Sequence, residues 1–135
     1  MQVTDFLVLL VEDDQDHVLL VQRAFSKANL VNPLRVVRDG EDAIAYLQGT
    51  GAYTDRSRHP LPSLILLDMK LPRKSGLEVL SWLRGTPPIS QTPVVVLSSS
   101  AESGDIQKAY ALGVNSYLVK PVNFGDLLEI GRAHV

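Results

Sequence analysis

Short apolar runs alternate along this chain with segments of helical period. The runs fall at residues 6–11, 34–37, 64–67, 94–97 and 117–119, and most are unbroken stretches of valine, leucine and isoleucine. A strand exposed on one face alternates apolar and polar residues, whereas an unbroken run suits a strand buried on both faces, as in a parallel sheet covered by helices. Between the runs, Val18, Val21, Phe25 and Ala28 recur at helical spacing, as do Leu77, Leu80 and Leu83, and Ile106, Ala109, Tyr110 and Gly113. A shorter helical segment carries Ala43, Ile44 and Leu47.

This alternation predicts one α/β domain, a doubly wound (βα)5 fold with a parallel five-stranded sheet. The expected strand order is 2-1-3-4-5, the flavodoxin-like arrangement. Two stretches break the regularity. Residues 49–62 (GTGAYTDRSRHPLP) form a long polar connection where a short loop is normal. The last helix starts with Asn123 as a cap and Phe124, Leu127 and Leu128 at helical spacing, then stops at Ile-Gly-Arg-Ala-His-Val. Gly131 weakens a helix there. The domain is therefore expected over residues 1–129, with a truncated final helix.

Composition narrows the class. A chain of 135 residues holds one domain with a real core. A net charge of −2 supplies no field toward nucleic acid or an anionic membrane. The absence of cysteine excludes a disulfide framework and thiolate metal sites, and fits a reducing cytoplasm. Residues 6–11 are too short a run for a membrane span or a signal-peptide core. A soluble, cytoplasmic protein is expected, with no nucleic-acid or membrane partner.

Ligands of such sheets bind beyond the carboxyl ends of the strands, so the residues standing there matter most. Glu12, Asp13 and Asp14 follow the first run, Asp68 ends the third, Ser98 follows the fourth and Lys120 the fifth. Crowded carboxylates resist ionisation unless a cation sits among them. Magnesium, which takes few carboxylates plus water and a phosphate oxygen, suits the set. Asp68, alone at a central strand end, is then the natural nucleophile for an acyl phosphate, with Lys120 and Ser98 serving the phosphoryl oxygens. Singly, each residue has a plainer reading. The acids would cap a helix, through Asp14 or Asp16, and Asp68 would be a turn residue. Ser98 to Ser100 would satisfy a loop, Lys120 would lie on the surface, and Tyr117 and Trp82 would simply pack. His17, His59 and His134 have no partners at metal-ligand spacing and receive no chemistry. Four successive strand ends carrying one chemistry favour the joint reading.

The segments LVLLVEDD, LILLDMKLPRKSGLEVL, PVVVLSSS and SYLVKP resemble the receiver domains of bacterial two-component systems. The resemblance runs over roughly residues 5–129. It implies that Glu12, Asp13, Asp68 and the backbone carbonyl of Lys70 hold Mg²⁺, that Asp68 is phosphorylated by a sensor histidine kinase, and that Ser98 and Lys120 bind the phosphoryl group. It further implies that Ser98 and Tyr117 switch together, that the Lys120–Pro121 bond is cis, and that Gly76 is the glycine before the third helix. Such a domain signals through a changed surface formed by the fourth helix, fifth strand and fifth helix, and is not otherwise an enzyme.

Residues 53–62, with LPSLILLDMKLPRKSGLEVLSWLR, resemble the stand-alone regulators paired with bacterial phytochrome kinases. That implies a phytochrome kinase as partner; a homodimer is a separate candidate. Arg56 and Arg58 are either solvated charge or a contact for an acidic partner. A flavodoxin-like electron carrier shares the fold, but Glu12, Asp13 and Asp14 would repel a flavin phosphate. An aspartyl phosphatase would want an acid two residues after its nucleophile, where Lys70 stands. A pseudo-receiver that binds partners without phosphorylation is the remaining alternative. The terminal hexapeptide resembles the translation of a common sequencing adapter, so residues 130–135 are expected to be a non-native tail.

Overall fold

The computed structural model describes residues 7–30 and 32–121, together with 125, 126 and 129. Five strands, β1 (Val8–Val11), β2 (Leu34–Val37), β3 (Leu64–Asp68), β4 (Val94–Ser98) and β5 (Ser116–Val119), make one parallel sheet in the order β2-β1-β3-β4-β5. Four helices connect them: α1 (Gln15–Lys27), α2 (Gly40–Gln48), α3 (Gly76–Arg84) and α4 (Ser103–Ala111). The flavodoxin-like order expected from the sequence is the one observed. The pattern at Asn123, Phe124, Leu127 and Leu128, residue His134 and the tail at 130–135 lie outside the described residues, as does Phe6.

Alternation of side chains along each strand divides the core in two. Leu9, Val11, Ile65, Leu67, Val94 and Val96 face Ala43, Tyr46 and Leu47 of α2, Val79, Leu80 and Leu83 of α3, and Ala109 of α4. Val8, Leu10, Leu64, Leu66, Val95 and Leu97 face Val18, Val21, Ala24 and Phe25 of α1. The three central strands β1, β3 and β4 are buried along their whole length, which is why they read as unbroken apolar runs. The outer strands β2 and β5 are not: Arg35 and Val119 are exposed.

Helix α4 departs from the expected stripe. Its buried residue is Ala109, while Tyr110 is exposed at 49% and Gly113 lies past the helix with a left-handed φ of 86°. A nine-residue helix that meets the sheet through one small side chain has no room to bury a tyrosine on the neighbouring flank. Ala28 likewise sits at the cap of α1 rather than within it. Trp82 packs half-buried against the core, as plain packing requires.

The long connection at 49–62 is built rather than loose. Arg56 donates to the carbonyls of Tyr46 (2.7 Å), Leu47 (2.8 Å) and His59 (3.1 Å), covering the C-terminal carbonyls of α2. Its guanidinium is thus spent inside the chain, which corrects the expectation of solvated or partner-facing charge at that position. Arg58 is exposed. Tyr46, 1% exposed, donates its hydroxyl to the Pro60 carbonyl at 2.8 Å and packs against Tyr53 at a tilt and His59 edge-on.

Burial first, and then the hydrogen bond from its hydroxyl to the Asp42 carboxylate (2.9 Å), push the Tyr53 phenol up to about 12. A phenol whose pKa is raised on folding stabilises the fold fully below the ordinary value near 10. That contribution fades as pH climbs from there through about 12. An alkaline absorbance titration is expected to show an ionisation near pH 12 that Tyr53→Phe removes, leaving the buried Tyr46 phenol, also pushed up by burial, still titrating late.

Candidate functional site

The register of the sheet builds the site. Val11 pairs with Leu67 and Asp68 with Leu97, so one residue beyond β1 brings Glu12 beside Asp68 at the carboxyl edge. The next strand pair, Ser98 with Val119, places Lys120 one step past the same edge. There the chain turns through a cis Lys120–Pro121 bond. Helix α1 begins immediately after the acids, with Asp14 as its cap, accepting from the Asp16 N–H at 2.9 Å.

Lys120 is the hub. Its Nζ donates to Glu12 Oε1 at 2.6 Å and to Asp68 Oδ2 at 3.1 Å, and stands 3.0 Å from Nδ1 of His17. Glu12 is wholly buried and Asp68 is 6% exposed. Burial pushes the Glu12 carboxyl up, the Lys120 hydrogen bond pulls it down, and Asp68 adds to the rise; the outcome is above the ordinary glutamate value. Burial works against the Lys120 ammonium, but Glu12 and Asp68 outweigh it and hold the ammonium above the ordinary lysine value.

Glu12, Asp13 and Asp68 each present a carboxylate oxygen within 4.8 Å of the others. Three carboxylates facing one ammonium leave a surplus of negative charge, and the donors are all oxygen, which fits a hard divalent cation. The cleft above them is also lined by Asp14, His17, Lys70, Ser99 and Lys120. Lys70 donates its N–H to Asp68 Oδ1 at 3.2 Å.

Ser98 stays apart from this cluster. It is 2% exposed, and its Oγ accepts from the Ser100 N–H at 3.1 Å, while Ser99 lines the cleft instead. Tyr117 donates its hydroxyl to the Ser100 carbonyl at 2.8 Å, so the aromatic and the β4–α4 loop are joined through backbone rather than through Ser98.

Two glycines hold the loop that follows Asp68. A methyl group on Gly76 would stand 2.2 Å from the Asp68 carbonyl oxygen, and one on Gly40 would stand 2.2 Å from that of Lys74. Gly76 was expected from the family resemblance; Gly40 carries no sequence signal beyond its place at a helix start. Gly76→Ala is expected to lower stability by about 2–3 kcal/mol in urea unfolding, because backbone rather than a flexible side chain must yield. His17 was also missed: it lies five residues from Glu12 but 103 from Lys120, a contact that only the folded sheet makes.

Known proteins match this arrangement. The family model described as response regulator receiver domain matches residues 8–132. Response regulator Rcp1 of Synechocystis sp. is 40% identical over 92% of this chain and 82% of its own. The bacteriophytochrome response regulator RtBRR superposes with a TM-score of 0.86 at 42% identity, covering 96% of this chain and 78% of that one. A phosphorylated cyanobacterial phytochrome response regulator, RcpA, gives 0.81 at 38% identity, covering 95% and 89%. The Mn²⁺-bound form of Rcp1 gives 0.79 at 39% identity, covering 95% and 90%. Among the described residues no helix is long and apolar enough to cross a membrane.

Proposed function

The chain belongs to the response regulator receiver domain family, and from that premise we propose that it accepts a phosphoryl group from a sensor histidine kinase onto Asp68. The observation that carries this reading is the three-way meeting of Asp68, Glu12 and Lys120 at one sheet edge. A carboxylate oxygen of Asp68 attacks the phosphorus, and the donor's bond to phosphorus breaks with its electron pair leaving on the donor. The ammonium of Lys120, already 3.1 Å from Asp68, neutralises charge that builds on the phosphoryl oxygens. The Lys70 N–H keeps Asp68 Oδ1 oriented. Hydrolysis of the acyl phosphate resets the protein.

Glu12, Asp13, Asp68 and the Lys70 carbonyl would hold Mg²⁺, which supplies positive charge to the phosphoryl oxygens during transfer. A manganese-bound relative supports a divalent cation there. Ser98 then binds the phosphoryl group by giving up its bond to Ser100, and Tyr117 follows by releasing the Ser100 carbonyl, which alters the α4–β5 surface. Relatives described as a bacteriophytochrome response regulator and a cyanobacterial phytochrome response regulator support a phytochrome kinase as the donor in a cytoplasmic phosphorelay.

The direct test is incubation with acetyl phosphate and Mg²⁺, followed by intact mass. One added phosphoryl group is expected, and EDTA is expected to suppress it. A correctly folded protein that stays unmodified would leave a partner-binding pseudo-receiver in its place.

A further inference from the structure

Lys120 has an acceptor for each of its three ammonium protons, and two of them are the carboxylates of Glu12 and Asp68. The third is the imidazole of His17 at 3.0 Å, a residue outside the carboxylate cluster. An ammonium can only donate, so Nδ1 presents its lone pair to Lys120 and the ring proton sits on Nε2. The geometry is set by the backbone. His17 is the third residue of α1, and helical side chains lean back toward the N-terminus. That lean carries Nδ1 over the cap, 3.6 Å from Glu12 Oε1 and 3.7 Å from Asp14 Oδ2, both longer than its 3.0 Å approach to Lys120.

We propose that His17 is a positioning residue for phosphoryl transfer, holding the Lys120 ammonium in place through Nδ1. This rests on the phosphoacceptor reading above. A lysine carries its charge on four rotatable carbons and is useful to a developing charge only if the head is fixed. In that reading Glu12 serves the divalent cation, which weakens its hold on Lys120, and Asp68 becomes the reacting group. His17 is the partner that keeps its bond throughout. The residue type matters as well: an acceptor nitrogen holds the ammonium without adding another negative charge, which would repel the incoming phosphoryl group.

The test has two arms. In the metal-free, unphosphorylated chain, long-range proton–nitrogen spectra are expected to show the His17 ring as the Nε2–H tautomer, with Lys120→Met releasing it into a mixture. The rate of phosphorylation by acetyl phosphate is expected to fall about tenfold in His17→Phe. In His17→Asn, whose Oδ1 reaches the place of Nδ1, it should return to within about threefold of the starting rate. An Nδ1–H tautomer, or a His17→Phe variant that reacts at the unaltered rate, would overturn the positioning role alone. A wild-type chain that takes up no phosphoryl group would overturn the phosphoacceptor reading first, and this role with it.

Discussion

Asp68→Asn is expected to take up no phosphoryl group from acetyl phosphate and Mg²⁺, read as the absence of the mass increment expected of the unaltered chain. The amide oxygen keeps the shape of the side chain but is not a nucleophile at neutral pH, so the loss is complete rather than partial. The fold should survive. Asp68 raises the cost of ionising Glu12 through both its charge and its hydrogen bond, and removing that charge relieves part of the surplus. Lys120 retains Glu12 and His17. The metal-free variant is therefore expected to melt about 2 °C higher in calorimetry. A melting temperature that falls would mean that the Lys120–Asp68 pair outweighs the repulsion between carboxylates.

Lys120→Met should produce the largest loss of stability of any single change at this edge, about 3 kcal/mol at neutral pH. The side chain of Lys120 is 10% exposed and that of Glu12 fully buried, so methionine fills the space while leaving a carboxylate without its cation. Removing one member of a buried pair costs more than the pair itself contributes. The pH dependence has a definite sign. With Lys120 gone, the pull that lowers the Glu12 carboxyl disappears and its folded value rises further above the ordinary one. A carboxyl raised on folding destabilises above its folded value and recovers as pH falls through that value, so the deficit should shrink in acid. Adding Glu12→Gln to the methionine variant is expected to restore about 2 kcal/mol, and a double-mutant cycle in urea measures this coupling directly. Strict additivity of the two changes would overturn the account.

Much of this edge was legible because a parallel sheet buried on both faces writes itself as unbroken apolar runs, and the residues after those runs must share one rim. Glu12, Asp13, Asp68 and Lys120 followed from that alone. The edge strands and α4 were less legible for the same reason in reverse: a strand with one neighbour, or a helix that buries one alanine, has a weak pattern. Tyr110 was misplaced there. Arg56 and His17 escaped because their partners are backbone carbonyls and a lysine from a distant segment. A charged residue in a polar loop and a histidine on a helix look like solvated surface until the chain closes on them. Ser98 stands at the carboxyl end of β4, but its Oγ accepts from the Ser100 N–H rather than meeting the cluster.

The two glycines that clamp the loop after Asp68 have a mechanical consequence. On that flank backbone rests directly on backbone, and α3 begins with a complete capping box in which Ser75 and Glu78 satisfy each other's main chain. The opposite flank begins α4 at Glu102, whose own side chain makes no cap; Ser100 instead accepts from the Glu102 N–H at 3.2 Å and donates to Asp105, and the helix buries one alanine. One side of the rim is wedged by main chain against main chain, and the other is held by side chains. Side chains on α4 and β5 can therefore be exchanged without moving the loop after Asp68, whereas the same edit beside α3 would shift that loop.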